Sequence, residues 1–273
     1  MNPSRREFIK KVSSASLVLF GGRVIKLSAS DLRSMQKKVT FRFAVASDGH
    51  YGEPKTEYGL FHEDLVKNIT NFHKSNALNF CVINGDIIHD EGSLLTEAKS
   101  HYDKLPVKYY VTKGNHDKVS DAYWQEVWSM PVNHEVHMEK DVILLATTSN
   151  ESGDFLSPDL EWLEARLASN TKARNIFLFL HIPQANWNGG SLETPAFFEL
   201  LKSFKNVRGI FHGHEHKQDN VKMFDKIPYM WDSHIGGSWG TSYRGFRVVE
   251  LTKDNQMLTY IMNPLERINQ AAL

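Results

Sequence analysis

The chain has little of what most readily betrays a function. Among 273 residues there is a single cysteine, Cys81, so an intramolecular disulfide and a cysteine-rich zinc site are both excluded. Cys81 lies in the apolar run Phe80-Cys81-Val82-Ile83 and reads as a small buried strand residue, not a nucleophile. The formal net charge is zero, which gives no sign of a surface built for a polyanion. After residue 31 there is no repeat and no low-complexity segment. What is present is the mix of an ordinary globular protein, with 41% hydrophobic and 11% aromatic residues in a length that suits one sizeable domain.

The zero charge hides an asymmetry. Residues 1–30 hold six Lys/Arg (Arg5, Arg6, Lys10, Lys11, Arg23, Lys26) against one acid, Glu7, which leaves 26 basic and 31 acidic residues and a body at −5. The start, Ser-Arg-Arg-Glu-Phe-Ile-Lys at 4–10, resembles the twin-arginine export signal of bacteria. The apolar stretch behind it, Val12 to Gly22, falls well short of the roughly 20 residues that span a bilayer. Ser28-Ala29-Ser30 offers the small residues a signal peptidase needs, which puts a mature start near Asp31. The expected organisation is therefore a signal segment over 1–30 and one domain over 31–273. The expected partner is the twin-arginine export machinery, with delivery to the periplasm or outside the cell and no stable membrane span after processing. An uncleaved signal would leave the protein membrane-anchored.

Apolar runs at 39–47, 79–84, 107–112, 142–148, 175–180 and 207–211 read as strands, several of them apolar on consecutive positions as in strands buried on both faces. Stretches 57–75, 158–168 and 194–204 show helical spacing. In the second, Leu160, Leu163 and Leu167 fall at i, i+3 and i+7 behind Ser157-Pro158, a cap-then-proline start. From about 217 onward the pieces Gln218–Phe224, Pro228–Ser233, Gly245–Leu251 and Gln256–Met262 suggest an antiparallel ending. The whole implies an α/β fold of sheets covered by helices.

The polar residues of interest stand where apolar strands stop: Asp48-Gly49-His50, Gly85-Asp86, Gly114-Asn115-His116-Asp117, His181, and Gly213-His214-Glu215-His216. Five strand ends of this kind can meet at one edge of a sheet. The one-residue gaps in Asp48-x-His50 and His214-x-His216 let both members of each pair point into the same volume if the extended geometry persists. Carboxylate, amide oxygen and imidazole together suit first-row divalent metals.

The order DxH, GD, GNHD, H, GHxH over Asp48–His216 resembles the signature of calcineurin-like metallophosphoesterases, every element included. The resemblance implies a four-layer α-β-β-α sandwich of two mixed β-sheets flanked by helices. It implies two divalent or mixed-valence transition-metal ions (manganese, iron or zinc), the first held by Asp48, His50, Asp86 and His216, the second by Asp86, Asn115, His181 and His214. The reaction implied is hydrolysis of phosphomonoesters or phosphodiesters by a two-metal-activated water. His116 would serve the leaving oxygen, with Asp117 orienting its ring.

Other histidines take blander readings: His62, His73, His101, His134 and His137 as solvated or structural, His212 as packing, with His89 and His234 left open. His89 stands where purple acid phosphatases carry a tyrosine ligand, and no Asp-Arg-Gly triplet follows Asp86 as in protein serine/threonine phosphatases. The form Gly-Asp-x-x-x-Asp-x-Gly-Ser at 85–93 looks closer to the class III cyclic-nucleotide phosphodiesterase and ADP-ribose hydrolase branch. The substrate expected is a small phosphorylated metabolite or nucleotide. Trp187 or Trp239 either stacks on a base or fastens its Gly-rich loop. A nuclease and a non-catalytic scaffold are the competing readings. The acidic body and export-like start oppose the nuclease, and the complete ligand series opposes the scaffold. No nucleic-acid partner is expected.

Overall fold

A computed structural model describes residues 16–20, 23–27, 29–187, 190–263 and 266–273. Strand β3 (Val39–Ala46) shows why its run is apolar on both parities. Phe41, Phe43 and Val45 face a second sheet, while Ala44 and Ala46 face helices. In the first sheet β3 runs parallel to β4 (Phe80–Asn84), which runs parallel to β5 (Tyr109–Thr112). On its other side β3 pairs antiparallel with β12 (Phe246–Thr252), followed by β13 (Met257–Asn263) and β14 (Glu266–Ala272), each antiparallel to the last. At that edge β1 (Ser16–Phe20) lies parallel to β14 and antiparallel to β2 (Arg23–Leu27).

The second sheet has the order β10 (Val221–Phe224), β11 (Ile227–Trp231), β9 (Val207–His212), β8 (Asn175–Phe179), β7 (Asp141–Leu145), β6 (His134–Met138). Its four central strands are parallel and its two edges antiparallel. Aromatic rings join the sheets: Phe43 stacks on Phe80 at 4.8 Å and meets Phe177 and Phe211 edge-on at 5.2 and 5.6 Å.

Helices close both outer faces. Over the first sheet, α2 (Tyr58–Ser75), α3 (Leu95–Tyr102) and α4 (Asp121–Trp128) bury Leu65, Ile69, Phe72, Leu95, Trp124 and Trp128. Over the second, α5 (Leu160–Ser169) and α6 (Pro195–Leu201) bury Leu163, Leu167, Phe197 and Leu201. At about 1.5–3 kcal/mol for each large apolar side chain buried, these faces fix helix on sheet. The fold is the four-layer α-β-β-α sandwich, and Cys81 is buried within it.

Two expectations are corrected. Helix α5 is capped by Asp159, whose carboxylate accepts from Trp162 N, so Ser157-Pro158 precedes the start. The tail is not one antiparallel ending: β10 and β11 complete the second sheet, with β11 parallel to β9, while β12 to β14 join the first. The short helices α1 (Ala29–Gln36), α3 and α4, and the strands β1, β2, β6 and β14, are not read in the sequence, β1 and β2 lying within the stretch expected to be a signal segment. The twin-arginine residues Arg5 and Arg6 and the first serine of the processing site, Ser28, lie outside the described residues. No described helix is long and apolar enough to cross a membrane.

Candidate metal centre

Because β3, β4 and β5 are parallel in one sheet and β8 and β9 in the other, the ends that follow them meet at one edge of the sandwich. Their turns are tight. Asp48, His50, Asp86 and His214 all have left-handed backbone, with φ of 58°, 45°, 50° and 69°. For residues with a Cβ this conformation costs on the order of 1–3 kcal/mol, and it persists where surrounding bonds enforce it. Here Gly49 N and His50 N both donate to Asp86 O, and Asp48 N to Gly85 O. Gly114 is needed for close approach: a Cβ there would lie 2.3 Å from both Asp86 N and Asp86 Oδ1.

Two groups of donors that include a carboxylate result. Asp48, His50 and His216 present ligand atoms within 4.8 Å of one another, and so do Asp86, His181 and His214; a third group, of imidazoles alone, is His50, His89 and His116. His50 Nε2 lies 2.9 Å from His216 Nε2, which is 3.2 Å from Asp48 Oδ1. Asp86 Oδ2 lies between the groups, 3.2 Å from His181 Nε2 and 3.8 Å from His50 Nε2. Asn115 is fixed against Asp86 by its neighbours on both sides, through Gly114 and through His116 N, which donates to Asp86 Oδ1 at 2.8 Å. Its own Oδ1 is buried without a hydrogen-bond partner.

The outward nitrogens are tied down. His181 Nδ1 donates to Asn84 O at 2.7 Å and His216 Nδ1 to Trp239 O at 3.1 Å, which aims each Nε2 at the centre. His50 Nδ1 meets His89 Nδ1 at 3.0 Å. His216 is also clamped through its faces, stacked between His234 at 5.2 Å and Trp239 at 4.4 Å.

The electrostatics call for positive charge at the centre. Burial keeps His50 and His214 neutral, lowering them to about 3 and about 4. Burial opposes charge on Asp48 and His181 as well, but their neighbours outweigh it. His216 and His181 hold Asp48 down to about 2, and Asp86 and Asp48 raise His181 to about 10. Divalent cations satisfy the same field. Two buried carboxylates, inward imidazole nitrogens and an orphaned amide oxygen fit a pair of such ions, with no thiolate needed.

The residues expected to assist leaving-group departure are arranged differently from expectation. His116 is half-buried at the rim, and its Nδ1 donates to Asp90 Oδ1 at 2.9 Å, with Lys118 Nζ 3.0 Å from the same oxygen. Asp117 is not the ring's partner. Its buried carboxylate accepts from Ile87 N, Ile88 N and Gly114 N at 2.8, 3.0 and 2.8 Å, tying the Asp86 turn to the Asn115 turn. Burial, then Asp86, pushes Asp117 up to about 7 against the pull of these donors. Asp90 was visible in the Gly-Asp-x-x-x-Asp pattern but had no assigned role. The loop after β11, singled out in the sequence for Trp239 and its glycines, also braces the first turn, its Ile235 N and Gly236 N donating to Ser47 O and Asp48 O.

The remaining histidines divide. His62 is fully buried beneath the Asp48–His50 turn, its Nδ1 donating to Tyr58 O, and is structural rather than solvated. His212 packs against Tyr229 and Trp231, as read from the sequence. Trp187 is half-buried among Phe198, Phe224, Tyr229 and Trp231, away from the ligand histidines, whereas Trp239 covers His216 and is 42% exposed.

The calcineurin-like phosphoesterase family model matches residues 41–218, a span that contains every residue of both donor groups. The chain belongs to that family. Membership makes it a phosphoesterase by class and implies divalent metal ions. No curated protein matches the sequence. Among solved structures the phosphoesterase is similar to a dimetal phosphatase from Danio rerio, 16% identical, covering 86% of this chain and 98% of that one with a TM-score of 0.68. It is also similar to a purple acid phosphatase from yellow lupin (Lupinus luteus) seeds, 15% identical, covering 85% of this chain and 53% of that one with a TM-score of 0.62. A third, GAP50, the anchor in the inner membrane complex of Plasmodium, is 15% identical and covers 85% and 89% with a TM-score of 0.61. At these identities the likeness is one of fold.

Proposed function

We propose that this phosphoesterase hydrolyses small phosphomonoesters or phosphodiesters with a two-metal centre. One ion would be held by Asp48, His50, Asp86 and His216, the other by Asp86, Asn115, His181 and His214. The observation that carries this reading is the placement of Asp86 Oδ2 between the two donor groups, within 3.2 Å of His181 Nε2 and 3.8 Å of His50 Nε2. Bound there, divalent ions supply an acidified water and positive charge for the phosphoryl oxygens.

The chain's own residues supply the rest. Asp90 fixes the Nδ1 proton of His116, so Nε2 is the atom that meets substrate and passes a proton to the leaving oxygen. Lys118 balances the charge of Asp90. Asp117 keeps the turns carrying Asp86 and Asn115 in register and stands behind the reacting groups.

Substrate preference follows the class III cyclic-nucleotide phosphodiesterase and ADP-ribose hydrolase branch, supported by the 85–93 pattern and the use of its aspartate, Asp90, to hold His116. Of the two tryptophans, Trp239 offers the exposed indole at the rim for a planar substituent. The twin-arginine-type start supports export of the enzyme. Hydrolysis of p-nitrophenyl phosphate and bis-p-nitrophenyl phosphate by protein reconstituted separately with manganese, iron and zinc tests the activity. Turnover dependent on added metal is expected, and metal-independent or absent turnover contradicts it.

A further inference from the structure

His89 touches one donor group of the centre and the histidine at its rim. Its Nδ1 lies 3.0 Å from His50 Nδ1, and its ring stacks on His116 with centroids 5.0 Å apart and planes 8° from parallel. It is half-buried, and the next residue, Asp90, holds His116 Nδ1. The other two tied histidines, His181 and His216, donate to backbone carbonyls, so His50 alone among them depends on a side chain for its orientation.

We infer that His89 is a positioning residue that couples the first metal site to the leaving-group histidine. This rests on the reading of His50 as a ligand. With His50 Nε2 directed at the centre, its proton sits on Nδ1 and donates to His89 Nδ1, which fixes the His89 proton on Nε2. One edge of the ring thereby aims His50 at the metal, and one face limits the tilt of His116.

The two contacts can be separated by substitution. His89→Asn places an amide oxygen near the position of Nδ1 and keeps the acceptor but loses the stacked face. His89→Phe keeps a ring against His116 but has no acceptor. Apo-protein titrated calorimetrically with Mn2+ should bind two ions per chain in the wild type and in His89→Asn. In His89→Phe one of the two should weaken by about 10–100-fold, the usual effect of losing a partner of a ligating histidine. His89→Leu, smaller and equally without an acceptor, should weaken the same ion if His89→Phe does not fold. His89→Asn should lose about 10-fold in kcat on phenyl phosphate, a poor leaving group, and much less on p-nitrophenyl phosphate.

Wild-type affinity for both ions in His89→Phe or His89→Leu overturns the coupling and leaves the two-metal reading standing. So does equal loss of metal affinity in the Asn and Phe variants, which marks a merely structural residue. Three ions in the wild type and two in the variants overturn it by making His89 a ligand. A wild type that binds no Mn2+ removes the two-metal reading and this inference together.

Discussion

His116 Nδ1 donates to Asp90 Oδ1 at 2.9 Å, and Asp90 lies on a stretch of chain that begins with Asp86 itself; in the proposed mechanism this pair directs proton delivery. Removing the carboxylate leaves the imidazole free to tilt and to change tautomer. Asp90→Asn should lower kcat by about 10–100-fold while metal content is unchanged. His116→Ala should cost about 100- to 10,000-fold on esters with poor leaving groups and less on p-nitrophenyl phosphate. A series of aryl phosphates of graded leaving-group pKa measures both, and a flat loss across the series contradicts the proton-delivery role.

Asp117 gives the opposite signature. Its carboxylate accepts three backbone N–H groups inside the protein, so Asp117→Ala orphans donors that cannot reach water. At about 1–3 kcal/mol for each buried unpaired donor, the variant should lose at least about 2 kcal/mol in urea unfolding. Stability equal to wild type, with only catalysis affected, restores Asp117 to a direct role.

Gly114→Ala probes the contact beneath the Asp86 carboxylate. The added methyl would sit 2.3 Å from Asp86 N and Oδ1, so the carboxylate must move. A displacement near 1 Å at a reacting centre costs about 100-fold, and a loss of that size in kcat with weakened metal binding is expected. Thermal unfolding shows whether the variant remains folded, and wild-type turnover contradicts the tight packing.

The two tryptophans separate in the same way. Trp187→Ala should destabilise, by up to about 3 kcal/mol, and leave substrate preference unchanged, because its ring packs among Phe198, Tyr229 and Trp231. Trp239→Ala should raise KM for nucleotide esters about 5- to 100-fold more than for non-aromatic phosphoesters, the range of one base–aromatic stack. Equal losses on both substrates sink base stacking.

Export is testable on the protein recovered from cells. Edman sequencing of the periplasmic or secreted form should begin near Asp31, and Arg5→Lys/Arg6→Lys should hold the chain in the cytoplasm. An intact Met1 on exported protein contradicts processing at Ser28–Ser30.

Much of this was legible because strand ends and ligands coincide in the sequence. Consecutive apolar residues in Phe43-Ala44-Val45-Ala46 report burial on both faces, and the first polar residues beyond such runs are those the fold delivers to the edge. Elements held by tertiary contact were not legible. Strand β6, His-Glu-Val-His-Met, is half-buried and polar at an edge, and α4 depends on Trp124 and Trp128 meeting the core, so neither carries a strong local period. The partners of the histidines at the centre are not legible for a related reason. Asn84 and Trp239 act through carbonyl oxygens, which every residue owns, and Asp90 and Asp117 are two nearby carboxylates that only geometry tells apart.

The proposed bridging role of Asp86, placed 3.2 Å from His181 Nε2 and 3.8 Å from His50 Nε2, is most directly tested by counting metal. Elemental analysis of purified protein saturated with Mn2+ and desalted, wild type beside Asp86→Asn, should give two equivalents per chain for the wild type. The variant should keep no more than one and lose its turnover. Two retained equivalents with full activity in Asp86→Asn, or a single equivalent in an active wild type, would contradict a centre built around that carboxylate.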